Sequence, residues 1–136
     1  MEKYIIEIEG DNISGIKSLI EEFNIRMFDK FRWNGSLDAL NDLLRGGFGN
    51  IADCNFILVW KNHQYSKLHL GHDAMLEWLE ITKESAHPSN QSEVEKRIEA
   101  AKNKAGETYF DLIIEIIKDH GDQGSEAEDG IEVMLE

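Results

Sequence analysis

Apolar and polar residues follow two rhythms along this chain, one of period two and one of about 3.6, and the switches between them mark out the elements. The segment KYIIEIE (residues 3–9) is short, rich in β-branched residues and followed by the turn-like GDN, which predicts a first strand. In SGIKSLIEEF, Ile16, Leu19, Ile20 and Phe23 fall at i, i+3, i+4 and i+7, a complete helical face, with Ser14 placed to open the helix. NIRMFDKFRWNG (24–35) mixes aromatics with Arg26, Lys30 and Arg32 without a clean period and predicts a packed loop. Ser36 then caps a helix whose apolar side is Leu37, Leu40, Leu43 and Leu44, and the pair Gly46 and Gly47 ends it.

NFILVW (55–60) is an unbroken apolar run bounded by polar residues, the pattern of a strand covered on both faces in the middle of a parallel sheet. A polar loop carrying His63, His69 and His72 follows. HDAMLEWLEITKES places Met75, Leu76, Leu79 and Ile81 near helical spacing until HPSN (87–90) stops it, and Asn90 with Glu93 resembles a capping box for SEVEKRIEAAKNKA. TYFDLIIEIIKDHG (108–121) has Thr108 as a cap with Asp111 three residues on, and Phe110, Ile113, Ile114, Ile116 and Ile117 as its buried side. IEVML (131–135) closes the chain as a third strand. Strands separated by long helical connections favour parallel pairing, so the pattern predicts a small α/β domain.

Composition adds a boundary and charge adds a direction. At 136 residues with 41% hydrophobic and 30% charged positions, the chain suits one soluble globular domain able to fold without a structural metal. The lone Cys54 excludes an internal disulfide, and its position beside an apolar run suits a buried strand-edge thiol better than a nucleophile. No apolar stretch reaches transmembrane length and the N-terminus does not read as a signal peptide, so a cytoplasmic protein with no membrane partner is expected. The net charge of −13 argues against direct nucleic-acid binding, which needs a basic surface, and makes a basic protein the natural partner. Much of that charge lies in residues 111–136, where nine acids face one lysine; by itself this reads as a solvated acidic end.

Three chemistries compete for WNGSLDALNDLLRGGFGN (33–50). A nucleotide-binding glycine loop leaves a strand and opens a helix, whereas GGFGN leaves a helix and leads toward a strand, so a helix end and turn is the better reading. Asp38 and Asp42 at i, i+4 repel by a few tenths of a kcal/mol, and the helix dipole favours only the first of them, so their pairing suggests function. With Asn41 and Arg45 they form a wholly polar stripe opposite the leucines. A carboxylate enzyme using a metal would draw on His63, His69 or His72, but that histidine spacing is a weak metal pattern and no apolar pocket is signalled around the acids. A protein-binding stripe, with no catalytic residues and no cofactor, accounts for the pattern more simply.

The segment SLDALNDLL, together with the order strand, helix, loop, acidic helix, FILVW strand, the Ser66-Lys67 pair, a late LIIEIIKD helix and a C-terminal strand, resembles the barstar family of intracellular ribonuclease inhibitors. The resemblance implies a small three-stranded parallel sheet flanked by helices, in a single domain over residues 1–136 with an extra helical insertion at 69–107. It also implies a protein that is not an enzyme, is monomeric when free, and binds a basic ribonuclease or nuclease toxin by blocking its active site. On this likeness Asp38 and Asp42 match the two acidic contact residues, Asp119 matches a contributing acid of the late helix, and Trp33 matches an aromatic of the loop before the acidic helix. Two positions depart from the pattern: Asn41 stands where the family has Trp, and Arg45 where it has a small Thr, so a non-inhibitory interaction module of the same fold is the alternative.

Overall fold

In a computed structural model of the protein, residues 4–28, 33–45, 56–121, 124 and 130–136 are described. Strand β1 (Tyr4–Glu9) leads through a turn at Gly10–Asn12 into α1 (Ile16–Arg26), and α2 (Leu37–Arg45) precedes β2 (Phe56–Lys61). Then come α3 (His63–His69), α4 (His72–Ser85), a turn at Pro88–Asn90, α5 (Gln91–Lys102), α6 (Tyr109–Lys118) and β3 (Glu132–Leu135). The sheet has the order β1-β2-β3 with both pairings parallel; Ile6 lies opposite Leu58, and Leu58 opposite Val133. The chain is therefore an α/β protein built on a small three-stranded parallel sheet.

Strand β2 occupies the centre, as its apolar run predicts. Phe56, Leu58 and Trp60 are fully buried on one face, and Val59 is nearly so on the other. The Trp60 ring meets Phe23 of α1 at 5.7 Å and Phe110 of α6 at 5.1 Å, both edge-on, which puts those two helices on the same side of the sheet. Its indole N–H donates to Ser66 Oγ at 2.9 Å, and that hydroxyl donates in turn to the Gly10 carbonyl at 2.9 Å. Gly10 permits this approach, because a Cβ there would lie 2.4 Å from the Asn62 carbonyl oxygen.

The caps divide into those that form and those that do not. Thr108 Oγ1 accepts from the Asp111 N–H at 3.1 Å while Asp111 Oδ2 accepts from the Thr108 N–H at 3.2 Å, the reciprocal pair expected of α6. Ser36 Oγ accepts from the Ala39 N–H at 3.3 Å at the start of α2. Ser14 does not cap α1; instead Ser18 Oγ, inside the first turn, accepts from the backbone N–H groups of Ser14 and Gly15. Asn90 makes no cap bond either, because the Pro88–Asn90 turn runs directly into α5. The expected helix end at Gly46 and Gly47 and the Cys54 thiol lie outside the described residues.

Two expected loops contain helix. The segment after β2 forms α3, with Asn62 turning the chain at φ +51° and Ser66 as its single buried residue. Helix α1 continues past Phe23 to Arg26 because Asn24 is turned inward: its side chain accepts from the Trp33 N–H at 2.6 Å and donates to the Trp33 carbonyl at 2.9 Å. This two-bond clamp holds the returning chain before α2. Residues 69–107 add α4 and α5, whose Met75, Leu79, Val94 and Ile98 join the same hydrophobic cluster as the strands. Removing the clamp with Asn24→Ala strands two buried backbone groups and is expected to destabilise the protein by about 2–4 kcal/mol in urea unfolding; a loss below about 0.5 kcal/mol would show that the clamp is dispensable.

Candidate functional site

Helix α2 is amphipathic around its whole circumference. Leu40, Leu43 and Leu44 are buried and Leu37 is partly so, which fixes the rotation of the helix and turns its polar stripe outward. Asp38 and Asp42 are both exposed on that stripe. Arg45 donates through Nη1 to Asp42 Oδ1 at 2.8 Å, with the Asp42 side chain 61% exposed and that of Arg45 50%. Such a surface pair contributes little to stability. Its effect is on charge: the second acid of the stripe carries a cation beside it.

Asn41 plays a different part from its stripe neighbours. It is half-buried, and its Oδ1 accepts from Nε2 of His120 at 2.9 Å, a residue whose side chain is fully buried just beyond the C-terminus of α6. The bond ties the middle of α2 to the end of α6. Asp119, the residue before His120, is exposed and lines a surface depression with Lys67, Phe110, Asp111 and Leu135, none of which belongs to α2. Four of the six residues singled out from sequence, Asp38, Asp42, Arg45 and Asp119, are exposed; Asn41 links the two helices on which they stand.

Trp33 is the correction. It is 2% exposed, its ring lies 5.6 Å from that of Phe23, and its indole N–H donates to the Ser36 carbonyl at 2.7 Å. The aromatic expected to touch a partner is instead core: it fixes the turn that leads into α2, where Gly35 supplies a φ of +97°. His120 and Asn24 were not legible as contributors, since nothing in their spacing separates a buried polar link from a solvated side chain.

The three histidines do not share a site. His63 Nδ1 bonds the Glu136 carbonyl oxygen at 2.7 Å, His69 packs against Tyr65 at 4.4 Å between ring centres, and His72 Nε2 bonds the Gly106 carbonyl oxygen at 3.1 Å. Among the described residues no three His, Cys, Asp or Glu side chains converge as metal ligands, and no helix is long and apolar enough to cross a membrane. What the geometry offers is an exposed acidic stripe on α2, suited to a cationic protein face. A comparison of the chain with family models, curated proteins and solved structures found no match.

The clearest shift of a titratable group is at Tyr109. Burial, with Glu77 nearby acting in the same direction, pushes its phenol up to about 12. The folded state keeps this proton where the unfolded chain releases it, so the shift contributes stability that is complete below the ordinary tyrosine value of 10.0 and is lost as pH rises toward 12. Stability measured by denaturation should fall across that interval, and Tyr109→Phe should flatten the fall; an unchanged slope in the variant would assign it to other groups.

Proposed function

We propose that this protein is a barstar-like inhibitor of a basic ribonuclease or nuclease toxin, acting from the cytoplasm by blocking the enzyme's active site with α2 and the end of α6. The observation that carries the reading is the rigid outward presentation of Asp38 and Asp42 on a helix anchored by its leucines below and by the Asn41–His120 bond at its side. Two carboxylates one helical turn apart present negative charge as successive phosphates of RNA do, so a cleft lined by Arg, Lys and His receives them in place of substrate. Net charge of −13 adds long-range attraction that speeds encounter, while desolvated carboxylate pairs supply the short-range affinity. In this reading Trp33 acts through the position of α2 and makes no contact of its own.

A second reading has a specific observation behind it. Arg45 is bonded to Asp42, and Asn41 is occupied by His120, so three of the four stripe residues are engaged internally. The same surface would then serve a non-inhibitory interaction module whose partner is less basic than a nuclease cleft. Co-expression with a toxic basic nuclease separates the two, since an inhibitor rescues growth and a module does not.

Asp42→Ala should weaken binding to an inhibited nuclease by about 2–4 kcal/mol, the scale of a hot-spot truncation, with thermal stability nearly unchanged. Calorimetric titration reads this directly, and unaltered affinity would remove Asp42 from the interface. Arg45→Ala adds net negative charge and releases Asp42, so association at low salt should quicken by up to about ten-fold. Slower association in stopped flow would mean that Arg45 itself contacts the partner.

A further inference from the structure

Strand β1 is an edge of the sheet, and the ladder determines which of its backbone groups are left over. The Glu136 N–H donates to the Trp60 carbonyl at 3.0 Å, so Phe56, Leu58 and Trp60 turn their backbone groups toward β3, and Ile57, Val59 and Lys61 turn theirs toward β1. With Ile6 opposite Leu58 in a parallel ladder, the residues of β1 that bond β2 are then Tyr4, Ile6 and Ile8. Ile5, Glu7 and Glu9 point their N–H and carbonyl groups away from the sheet. Glu9 agrees with this assignment, since its N–H donates to Glu22 Oε2 of α1 at 2.8 Å. Among the described residues nothing does the same for Ile5 and Glu7.

A surface depression of about 530 Å³ runs along this free stretch, lined by Tyr4, Ile5, Ile6, Glu7 and Arg26. Arg26 lies one turn beyond Glu22, which it bonds at 3.3 Å, so the flank of α1 that reaches Glu9 continues along the same edge. The edge is apolar as well as unpaired: Ile5 is 59% exposed, Tyr4 56%, and Ile25, next to Arg26, 68%. Sheets commonly guard an edge with a proline or a lysine, and YIIEIE has neither. Unpaired backbone groups call for a strand, and their spacing selects which one. Two copies of β1 laid antiparallel with Ile6 opposite Ile6 bring Ile5 of each against Glu7 of the other, and the free groups of both are exchanged in two hydrogen-bonded pairs. Sliding the register toward Glu9 sets Glu7 against Glu7 and calls on the Glu9 N–H, which Glu22 already holds. Sliding it the other way carries Glu7 past the start of β1.

We propose that the β1 edge is a self-association surface, on which a second copy of this chain adds its own β1 antiparallel about Ile6 to give a two-fold dimer with a continuous sheet, three strands from each copy. The same axis brings the α1 flank of each copy, with Ile25 and Arg26, toward the interface. A short foreign peptide takes the same backbone bonds but has nothing to offer that flank. The contact is small and each copy carries a charge of −13, so association is weak, with a dissociation constant on the order of 0.1 mM, and salt strengthens it by screening the repulsion. At micromolar concentration the chain is therefore monomeric. The inference is independent of the reading of α2.

Sedimentation equilibrium of the full chain up to about 1 mM should give a monomer and dimer mixture, with association tightening about ten-fold between about 0.05 and 0.5 M sodium chloride. Amide exchange at the same protein concentration should slow by up to about five-fold at Ile5 and Glu7, while the Ile6 amide, already bonded to β2, exchanges as in dilute protein. The register is tested by charge. Ile5→Glu sets like charges opposite each other twice per dimer and should weaken association about ten-fold, whereas Ile5→Lys faces Glu7 of the second copy and should tighten it about three- to ten-fold. Ile81→Lys, at an exposed position outside this edge, makes the same change in net charge and should alter association by less than about two-fold. Position 5 is exposed, so both of its variants should keep the melting temperature of the parent. A chain that stays monomeric at every salt concentration, protection at Val133 and Leu135 of the other edge instead, growth beyond the dimer, or an equal response to Ile5→Glu and Ile5→Lys overturns the proposal.

Discussion

The burial of one indole organises the fold. Trp60 sits fully enclosed in the central strand, and an indole N–H so placed must find an acceptor or forfeit a hydrogen bond that water would have supplied. Ser66 provides it, which requires the chain to turn back immediately after β2, and Asn62 makes that turn in a left-handed conformation. Ser66 then passes the demand on to the Gly10 carbonyl, so the end of β1 must come within reach, and only a glycine there leaves room. The ring faces impose a second requirement: Phe23 and Phe110 both pack edge-on against Trp60, which locates α1 and α6 relative to the sheet and, through them, everything that stands on those helices.

From that junction two polar links carry position outward to the candidate surface. Asn24, on the helix that Phe23 anchors, clamps the backbone of Trp33 and so fixes the approach to α2. His120, at the end of the helix that Phe110 anchors, holds Asn41 from the other side. The acidic stripe is thus held at both its start and its middle by buried groups that trace back to the same tryptophan. Preorganisation of this kind reduces the conformational freedom lost on binding, which matters for a surface whose long-range attraction is unspecific.

Much of the fold was legible because it follows from local periodicity. The uninterrupted FILVW run foretold a central strand, the four-residue rhythm of the leucines foretold α2 and its polar stripe, and the Thr108 and Asp111 pair foretold the start of α6. Helix α3 was not legible, since HQYSKLH is polar nearly all round and is held by bonds to distant residues, Ser66 to the Gly10 carbonyl and His63 to the Glu136 carbonyl. The extension of α1 was hidden for a related reason: Asn24 breaks the apolar pattern because it serves a residue nine positions away. Within the stripe, spacing placed Asp38, Asn41, Asp42 and Arg45 on one face but did not distinguish a side chain that points at solvent from one that bonds a buried histidine. For Trp33, residue type misled, because an aromatic beside a charged loop suits a contact and a core equally well until burial is known.

Charge and geometry divide the work of recognition. A net charge of −13 attracts any cationic protein, and at physiological ionic strength that attraction is screened beyond about 8 Å. Selection among cationic partners therefore falls to groups in contact, and the first three positions of the stripe differ there. Asp38 is exposed and open to an incoming cation; Asp42 already holds Arg45 at 2.8 Å, so a partner must either displace that guanidinium or accommodate it. Asn41, drawn inward by His120, leaves a shallower surface than a large aromatic would at the same point. On the proposed inhibitor reading, a cleft shaped for a bare pair of carboxylates beside a large aromatic meets a cation and a depression here, and both changes disfavour it. On the proposed reading the physical consequence is selectivity by mismatch: the two acids suit a partner whose cationic face has room for, or an acid to meet, Arg45.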